Sequence, residues 1–557
     1  MVKPKQSLYW CFMGMLWLLA PPAMGQTREV DLAPVSGTYA IQNVNIIQAP
    51  GRRIDLGTIV IKDGLILSVG KNVPIPADAQ IVKADSMYVY PGFIDGLSHT
   101  GVPKPKNDPI DRSKIKDPGN PPDELAGIQP QREVRALLDP KEKSVDALRS
   151  VGFTTVHTVP YGGMLPGQGA IILLTGKTGD EMIYKDNISL FSQLKGAQRI
   201  YPNTVIGVMA KYRDLYRKAS YSKEYQARYS GNTPGMVRPG QNRVEEAFYP
   251  VIDKQQPVTF LAEKVLDIQR VLTLQRDLDF SLVLAEVKQG WDLTDKIKAS
   301  GAKVFLSLDM PKIGENKKDS TDTMNPEKEA LEKRKLEMKR KYYQQPATLK
   351  NSGTRFGFST LGTKNSDLKT NLHKLLEYGM SEDDVLAALT THPAELLGVS
   401  QALGTLDPGK IANLVITDTT YFAEKSNVKY VFVDGKFYSY EKKKERRPRV
   451  EKTVAGTWSY STETSNGTVT GKIVIQGDPG NYSGTVSNNF NGQTVNATGI
   501  AVNGEQMTIT YTLTIDANML NIEITATLDG DAFEGTMAVS NFGSFPIEGQ
   551  KDPGSKN

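Results

Sequence analysis

Histidine and cysteine are scarce in this chain, with four of the first and one of the second among 557 residues. The single cysteine, Cys11, lies close to the start, so the rest of the chain cannot use a disulfide, a cysteine nucleophile or a zinc–thiolate site. Beyond residue 25 no apolar run approaches the roughly 20 residues a membrane-spanning helix needs. Charge of one sign is not in excess either: 67 basic residues face 62 acidic ones, which argues against a nucleic-acid partner. What is present, 39% apolar and 23% charged residues, is the composition of an ordinary globular protein.

The first 25 residues stand apart. Lys3 and Lys5 precede a mostly apolar run from Leu8 to Ala20, and Ala23-Met24-Gly25 offers small residues for cleavage, the pattern of a secretory leader. The expected mature protein is exported, periplasmic or extracellular, and has no membrane span. Trp10 before Cys11 is too bulky for lipid attachment, so a lipid anchor is discounted. Without disulfides, an exported chain of this kind has to draw its stability from a large buried core.

The remainder divides at 441–453, a charged segment containing Glu441-Lys442-Lys443-Lys444-Glu445-Arg446-Arg447 and no large apolar residue, read as a linker. Residues 454–557 carry three lysines against ten acids, a net of −7, which leaves +10 on residues 26–453. Strict alternation over Met507, Ile509, Tyr511, Leu513 and Ile515 is the period of a strand. Asn466-Gly467, Asn491-Gly492, Asn503-Gly504 and Asp529-Gly530 punctuate such runs as hairpin turns. A small antiparallel β domain of about eight strands is expected over 454–557. Trp458 and Tyr460 join the aliphatic residues either in a filled core or around a pocket for an apolar ligand.

Short strands also dominate residues 30–90. From Pro91 to about residue 401, strands such as Thr154–Val159, Val258–Ala262, Leu282–Ala285, Val304–Leu308 and Phe356–Ser359 alternate mostly with amphipathic stretches. Repeated βα units of this kind imply an α/β fold with a parallel, TIM-like (β/α)8 barrel. Pro103 to Pro130, rich in proline, lysine and aspartate, either lies over the barrel mouth as a long loop or is disordered. Pro326 to Tyr343 has the charge pattern of an exposed helix, and Gly162 to Gly169 reads as a tight turn at the mouth.

Several segments, taken in order, carry a family resemblance. Val89-Tyr90-Pro91-Gly92-Phe93-Ile94-Asp95, Gly152-Phe153-Thr154-Thr155-Val156, His392-Pro393-Ala394-Glu395-Leu396-Leu397-Gly398, Gly404 to Val415 and Val433-Asp434-Gly435 resemble the amidohydrolase superfamily, the metal-dependent hydrolases related to imidazolonepropionase and dihydroorotase. The resemblance spans about residues 38–440. It implies a barrel flanked by a composite β-sandwich built from residues 30–90 and 402–440, and hydrolysis of carbon–nitrogen bonds other than peptide bonds if the site is intact.

The same resemblance places a His-x-His pair where this chain has Leu97-Ser98-His99, because side chains two apart on a strand can grip one metal ion together. It places further histidines near Leu261 and in Leu284-Ala285-Glu286, and a general-base aspartate where Ser359-Thr360-Leu361 stands. The four histidines are His99, His157, His373 and His392, the last two on late helices, so at most two can be ligands. The expectation is a degenerate metal site with no cofactor. The competing expectation is an oxygen-rich divalent-metal site of His99, Glu263, Glu286 and Asp309, the acids falling at or just past the ends of successive strands.

Three functions follow as alternatives. The first is an exported amidohydrolase-like pseudoenzyme that binds a ligand or assists an active amidohydrolase partner, as a homo-oligomer or alongside it. The second is an active hydrolase of cyclic amide or peptide-like bonds with the altered site, and the third a carrier of an apolar ligand in the C-terminal β domain.

Overall fold

The computed structural model of this protein describes residues 37–105, 115–311, 326–441 and 454–553, leaving aside turn positions 465, 466, 479, 491, 516, 517 and 541. The expected leader, Cys11, all of the 441–453 linker but Glu441, and part of the Pro103–Pro130 loop lie outside the described residues. The described chain falls into two compact units, one before and one after the linker.

The first unit begins with β1 (Thr38–Ala49), β2 (Arg52–Lys62), β3 (Leu65–Gly70), β4 (Gln80–Val82) and β5 (Tyr88–Pro91). The barrel strands follow: β6 (Phe93–Ser98), β7 (Phe153–Thr158), β8 (Gly167–Leu173), β9 (Ile183–Gln193), β10 (Val258–Leu261), β11 (Leu282–Val287), β12 (Lys303–Ser307) and β13 (Phe356–Ser359). The unit ends with β14 (Leu414–Thr417), β15 (Val428–Val433) and β16 (Lys436–Ser439). Strands from its two ends form one sheet in the order β16-β15-β14-β5-β1-β2-β3, with β4 beside β1. Its apolar residues, among them Ile41, Ile59, Leu414 and Phe432, gather into a cluster of their own.

Strands β6 to β13 form the second sheet in sequential order, and its two end strands meet across a seam of side-chain hydrogen bonds. At that seam the Ser359 hydroxyl donates to the Leu97 carbonyl at 2.9 Å, and the Thr360 amide donates to Asp95 at 2.9 Å. Close approach inside the sheet excludes side chains at some points: a Cβ on Gly96 would lie 1.9 Å from the ring of Phe305. The architecture is the expected TIM-like one, with one difference in direction. Strand β8 runs antiparallel to both of its neighbours, while the other adjacent pairs are parallel. The reason is connection length. Only residues 159–166 and 174–182 join β8 to β7 and β9, and a parallel crossover needs about a dozen residues or more.

Helices pack outside this sheet and bury the other half of the large core, through residues such as Val208, Tyr212, Ile268, Leu274 and Leu372. The charged helix expected from Pro326 extends to Asn351, with exposed residues over its first half and Tyr343, Gln345 and Leu349 buried near its end.

The second unit is a closed antiparallel barrel of β17 (Gly456–Thr464), β18 (Gly467–Asp478), β19 (Asn481–Asn488), β20 (Thr494–Asn503), β21 (Gln506–Ile515), β22 (Asn518–Asp529), β23 (Ala532–Val539) and β24 (Gly543–Lys551). Consecutive strands pair, and β24 returns to β17. Alternation sends Trp458, Tyr460, Ile473, Ile475, Met507, Ile509, Ile524 and Phe533 inward, where they pack against one another and fill the interior. Replacing Ile524 by Ala should cost about 2–5 kcal/mol of this unit's stability in urea unfolding, whereas Thr525→Ala on the outer face should change it by less than about 0.5 kcal/mol.

Candidate functional site

The parallel strands of the barrel sheet bring their C-terminal ends to one mouth, where barrel proteins place functional groups. Leu97, Val159, Phe191 and Ala285 are buried there in one apolar cluster, with Leu261 and Leu361 packed against it. Four of these six belong to segments where the resemblance implies metal ligands or a base: Leu97, Leu261, Ala285 and Leu361. In the 284–286 segment it is Ala285 that joins the cluster, while Leu284 packs in the larger core.

His99 follows β6 but does not join the acids. Its Nδ1 donates to the Val159 carbonyl at 2.7 Å, and its ring stacks on Tyr161 with centroids 3.7 Å apart. Burial drives its pKa from 6.5 down to about 4, against the Val159 carbonyl, so the imidazole is neutral near pH 7. Tyr161 is held over it from two sides. The Arg132 guanidinium donates to the carbonyls of Tyr161 and Pro166, and the Gln193 amide donates to those of Gly162 at 2.9 Å and Gly163 at 2.6 Å. The described end of the long proline-rich loop packs on the same turn, with Leu165 donating to the Gly127 carbonyl at 3.0 Å and Gln129 to that of Leu165 at 2.8 Å. Gly127 and Gly163 approach so closely that a Cβ on Gly163 would sit 2.6 Å from the Gly127 Cα.

The three acids do converge, but on a cation that the chain itself provides. Lys288 Nζ lies 2.7 Å from Asp309, 2.9 Å from Glu263 and 3.9 Å from Glu286. Burial works against its charge, yet the hydrogen bonds to Asp309 and Glu263 outweigh it and raise its pKa. Among the described residues, no group of three or more His, Cys, Asp or Glu side chains is placed to hold a metal ion.

Glu286 is the most constrained of the set. It sits in a bulge of β11 with φ at +61°, a conformation that costs a non-glycine residue roughly 1–2 kcal/mol. Its carboxyl is buried and bonded to the hydroxyls of Ser307 and Ser359, the latter at 2.5 Å. A proton count follows from these contacts. Ser359 has one hydroxyl hydrogen for two acceptors, the Leu97 carbonyl at 2.9 Å and the Glu286 carboxyl at 2.5 Å, a competition that protonation of Glu286 relieves because the neutral carboxyl can then donate to Ser359. Electrostatics agree: burial pushes the Glu286 pKa from 4.5 up to about 8, against the serine hydrogen bonds and the Lys288 charge. Asp95, beneath the mouth, is raised by burial to about 6, against its hydrogen bonds from Thr360, Leu97 and Ser98.

The remaining histidines serve the framework. His157 is buried, bonds the Gly96 carbonyl at 3.0 Å and Ser189 at 2.9 Å, and burial lowers its pKa to about 4. His392 bonds the Phe356 carbonyl at 3.2 Å, and His373 lies on the helix Asn365–Glu377. Lys288, Tyr161, Arg132 and Ser307 are residues of this mouth that the sequence motifs do not single out. The nearest signal in the sequence was a lysine two positions beyond Glu286.

Residues 290–438 match the amidohydrolase family. No curated protein matches the sequence. Among solved structures, an amidohydrolase from Thermotoga maritima MSB8 is similar at 21% identity and a TM-score of 0.58, covering 72% of this chain and all of its own. A Xaa-Pro dipeptidase with bound methionine aligns at 18% identity and a TM-score of 0.41, over 72% of this chain and 100% of its own. Phenylurea hydrolase B aligns at 15% identity and a TM-score of 0.40, over 72% and 96%.

The perturbed groups give a pH signature with a definite sign. A carboxyl with a raised folded pKa binds its proton more tightly in the native state, so stability is lost as pH rises from the unfolded to the folded value. For Glu286 the window runs from about 4.5 to about 8. The histidines act oppositely between about 6.5 and 4, losing stability as pH falls. From pH 6.5 to 8 the Glu286 contribution is therefore isolated. Denaturant unfolding of the barrel unit should show stability declining across that range, and Glu286→Gln, which preserves a donor and an acceptor, should flatten the decline; an unchanged slope would refute the protonated carboxyl.

Proposed function

We propose, from the premise that this chain carries the amidohydrolase fold, that it is an exported protein whose scaffold has lost metal-dependent hydrolysis and acts in binding or beside an active partner enzyme. The observation that carries this reading is the apolar cluster of Leu97, Leu261, Ala285 and Leu361 with Val159 and Phe191 at the barrel mouth. Metal-assisted hydrolysis needs a cation to bring the pKa of its bound water toward neutrality and a base to take the proton. Aliphatic side chains supply neither. The residues present do not fit a divalent ion: the histidine is capped by Tyr161 and bonded to a backbone carbonyl, and the three acids are engaged with Lys288.

Export rests on the leader-like pattern of residues 1–25 and on a chain whose only cysteine falls within it. Association with a further copy or with an active amidohydrolase supplies the role that remains once turnover is removed. The alternative of an active hydrolase with an altered carboxylate site would need Lys288 to leave its acids. That exchange costs the two charge-assisted hydrogen bonds of Lys288, to Glu263 and Asp309, in a partly buried setting where such bonds are stronger than in water.

Elemental analysis of the purified protein, prepared without chelators, tests the reading. The expected result is clearly substoichiometric metal, unchanged in the His99→Ala/Glu286→Gln double variant. One divalent ion per chain that disappears in that variant, together with amide hydrolysis abolished by a chelator, would establish the altered-site enzyme instead.

A further inference from the structure

A second feature, independent of the barrel mouth, lies in the C-terminal unit. Because its eight strands run up and down in order, alternate turns share an end of the barrel. The turns after β17, β19, β21 and β23 lie at one end. Those after β18, β20 and β22 lie at the other, with the start of β17 and therefore the linker side of the unit. Among the described residues of this unit, the exposed large hydrophobics are Phe490, Met519 and Phe542, at 58%, 72% and 67% exposure. All three fall at the end away from the linker, Phe490 and Phe542 in its turns and Met519 at the second residue of β22, beside the turn between them.

Single exposed apolar residues are ordinary, but turn positions favour Gly, Asn and Asp, and nothing in the barrel is gained by showing a phenylalanine to water there. The sequence around them repeats: Asn489-Phe490-Asn491-Gly492 and Asn541-Phe542-Gly543 each set a phenylalanine in an asparagine- and glycine-rich turn. Charge is partitioned the same way. Asp478, Glu505, Asp529, Asp531 and Asp552 belong to the linker-side end, whereas the described residues at the far end include one acid, Glu463 near the end of β17, and no lysine or arginine.

We propose that this end of the barrel is a docking surface for an uncharged lipid interface, entered by Phe490, Met519 and Phe542. Spacing favours lipid over a protein partner. Turns on every second strand are about 10 Å apart, so each tip enters a soft interface separately, while a specific protein contact wants a continuous patch of about 800 Å². Charge favours an uncharged surface, since none of the described residues at this end is a cation that would draw the barrel to anionic headgroups. The outward faces of the strands, lined by Thr508, Thr510, Thr512, Thr525 and Thr527, are polar, so the barrel rests on the interface by its tips and does not cross it.

Co-sedimentation of the chain from Gln26 onward with phosphatidylcholine vesicles tests this. Binding should persist at high salt, and the triple variant Phe490→Ser/Met519→Ser/Phe542→Ser, whose folding is checked by circular dichroism, should lower the partition constant about tenfold or more. No binding by the parent chain, equal binding by the triple variant, or binding that requires anionic lipid and fails at high salt would overturn the proposal. So would vesicle-free self-association that the triple variant abolishes, which would assign the tips to a second copy of the chain.

Discussion

Removal of water from the barrel mouth by Leu97, Phe191, Ala285 and their neighbours is the constraint on which the surrounding chemistry depends. Each large aliphatic or aromatic side chain fully buried there contributes roughly 1.5–3 kcal/mol, so the filled mouth is stable without any ion. The same dryness penalises unpaired charge. Glu286, buried in the site, responds by keeping its proton, and His99 by staying neutral. The carboxylates nearer solvent, Glu263 and Asp309, keep their charge company with an ammonium group from Lys288.

These responses belong together. A divalent ion would organise acids and histidines around one point. Here the histidine is turned to the Val159 carbonyl under Tyr161, while the acids face a lysine fixed to the strand end that carries Glu286. The bulge that gives Glu286 its positive φ also aims its carboxyl at Ser307 and Ser359 on the next strands, tying β11, β12 and β13 to the seam with β6. Position for position, groups that could have handled a water molecule hold the barrel closed.

Much of this was legible in the sequence, for reasons that differ by element. The alternation from Met507 to Ile515 could only be a half-buried strand, and the Asn-Gly and Asp-Gly turns left little choice but hairpins. The ordered motifs from Val89 to Gly435 led to the amidohydrolase fold, which the family match over 290–438 and the structural similarity support. Strand β9 escaped notice because Lys185-Asp186-Asn187 interrupts its first half, so no apolar run announces it. The direction of β8 was available from its short connections but hidden by the expectation of uniform βα repeats. The partner of the acids was not legible at all: spacing put Glu263, Glu286 and Asp309 at one end of the sheet, and the fold places Lys288 among them.

Anomalous diffraction from crystals of the protein soaked in manganese or zinc, recorded at the metal edges, addresses the central claim most directly. The account predicts no anomalous density at the barrel mouth, with Lys288 Nζ still between Glu263 and Asp309. A strong peak bonded to His99 or Glu286, with Lys288 displaced, would contradict it.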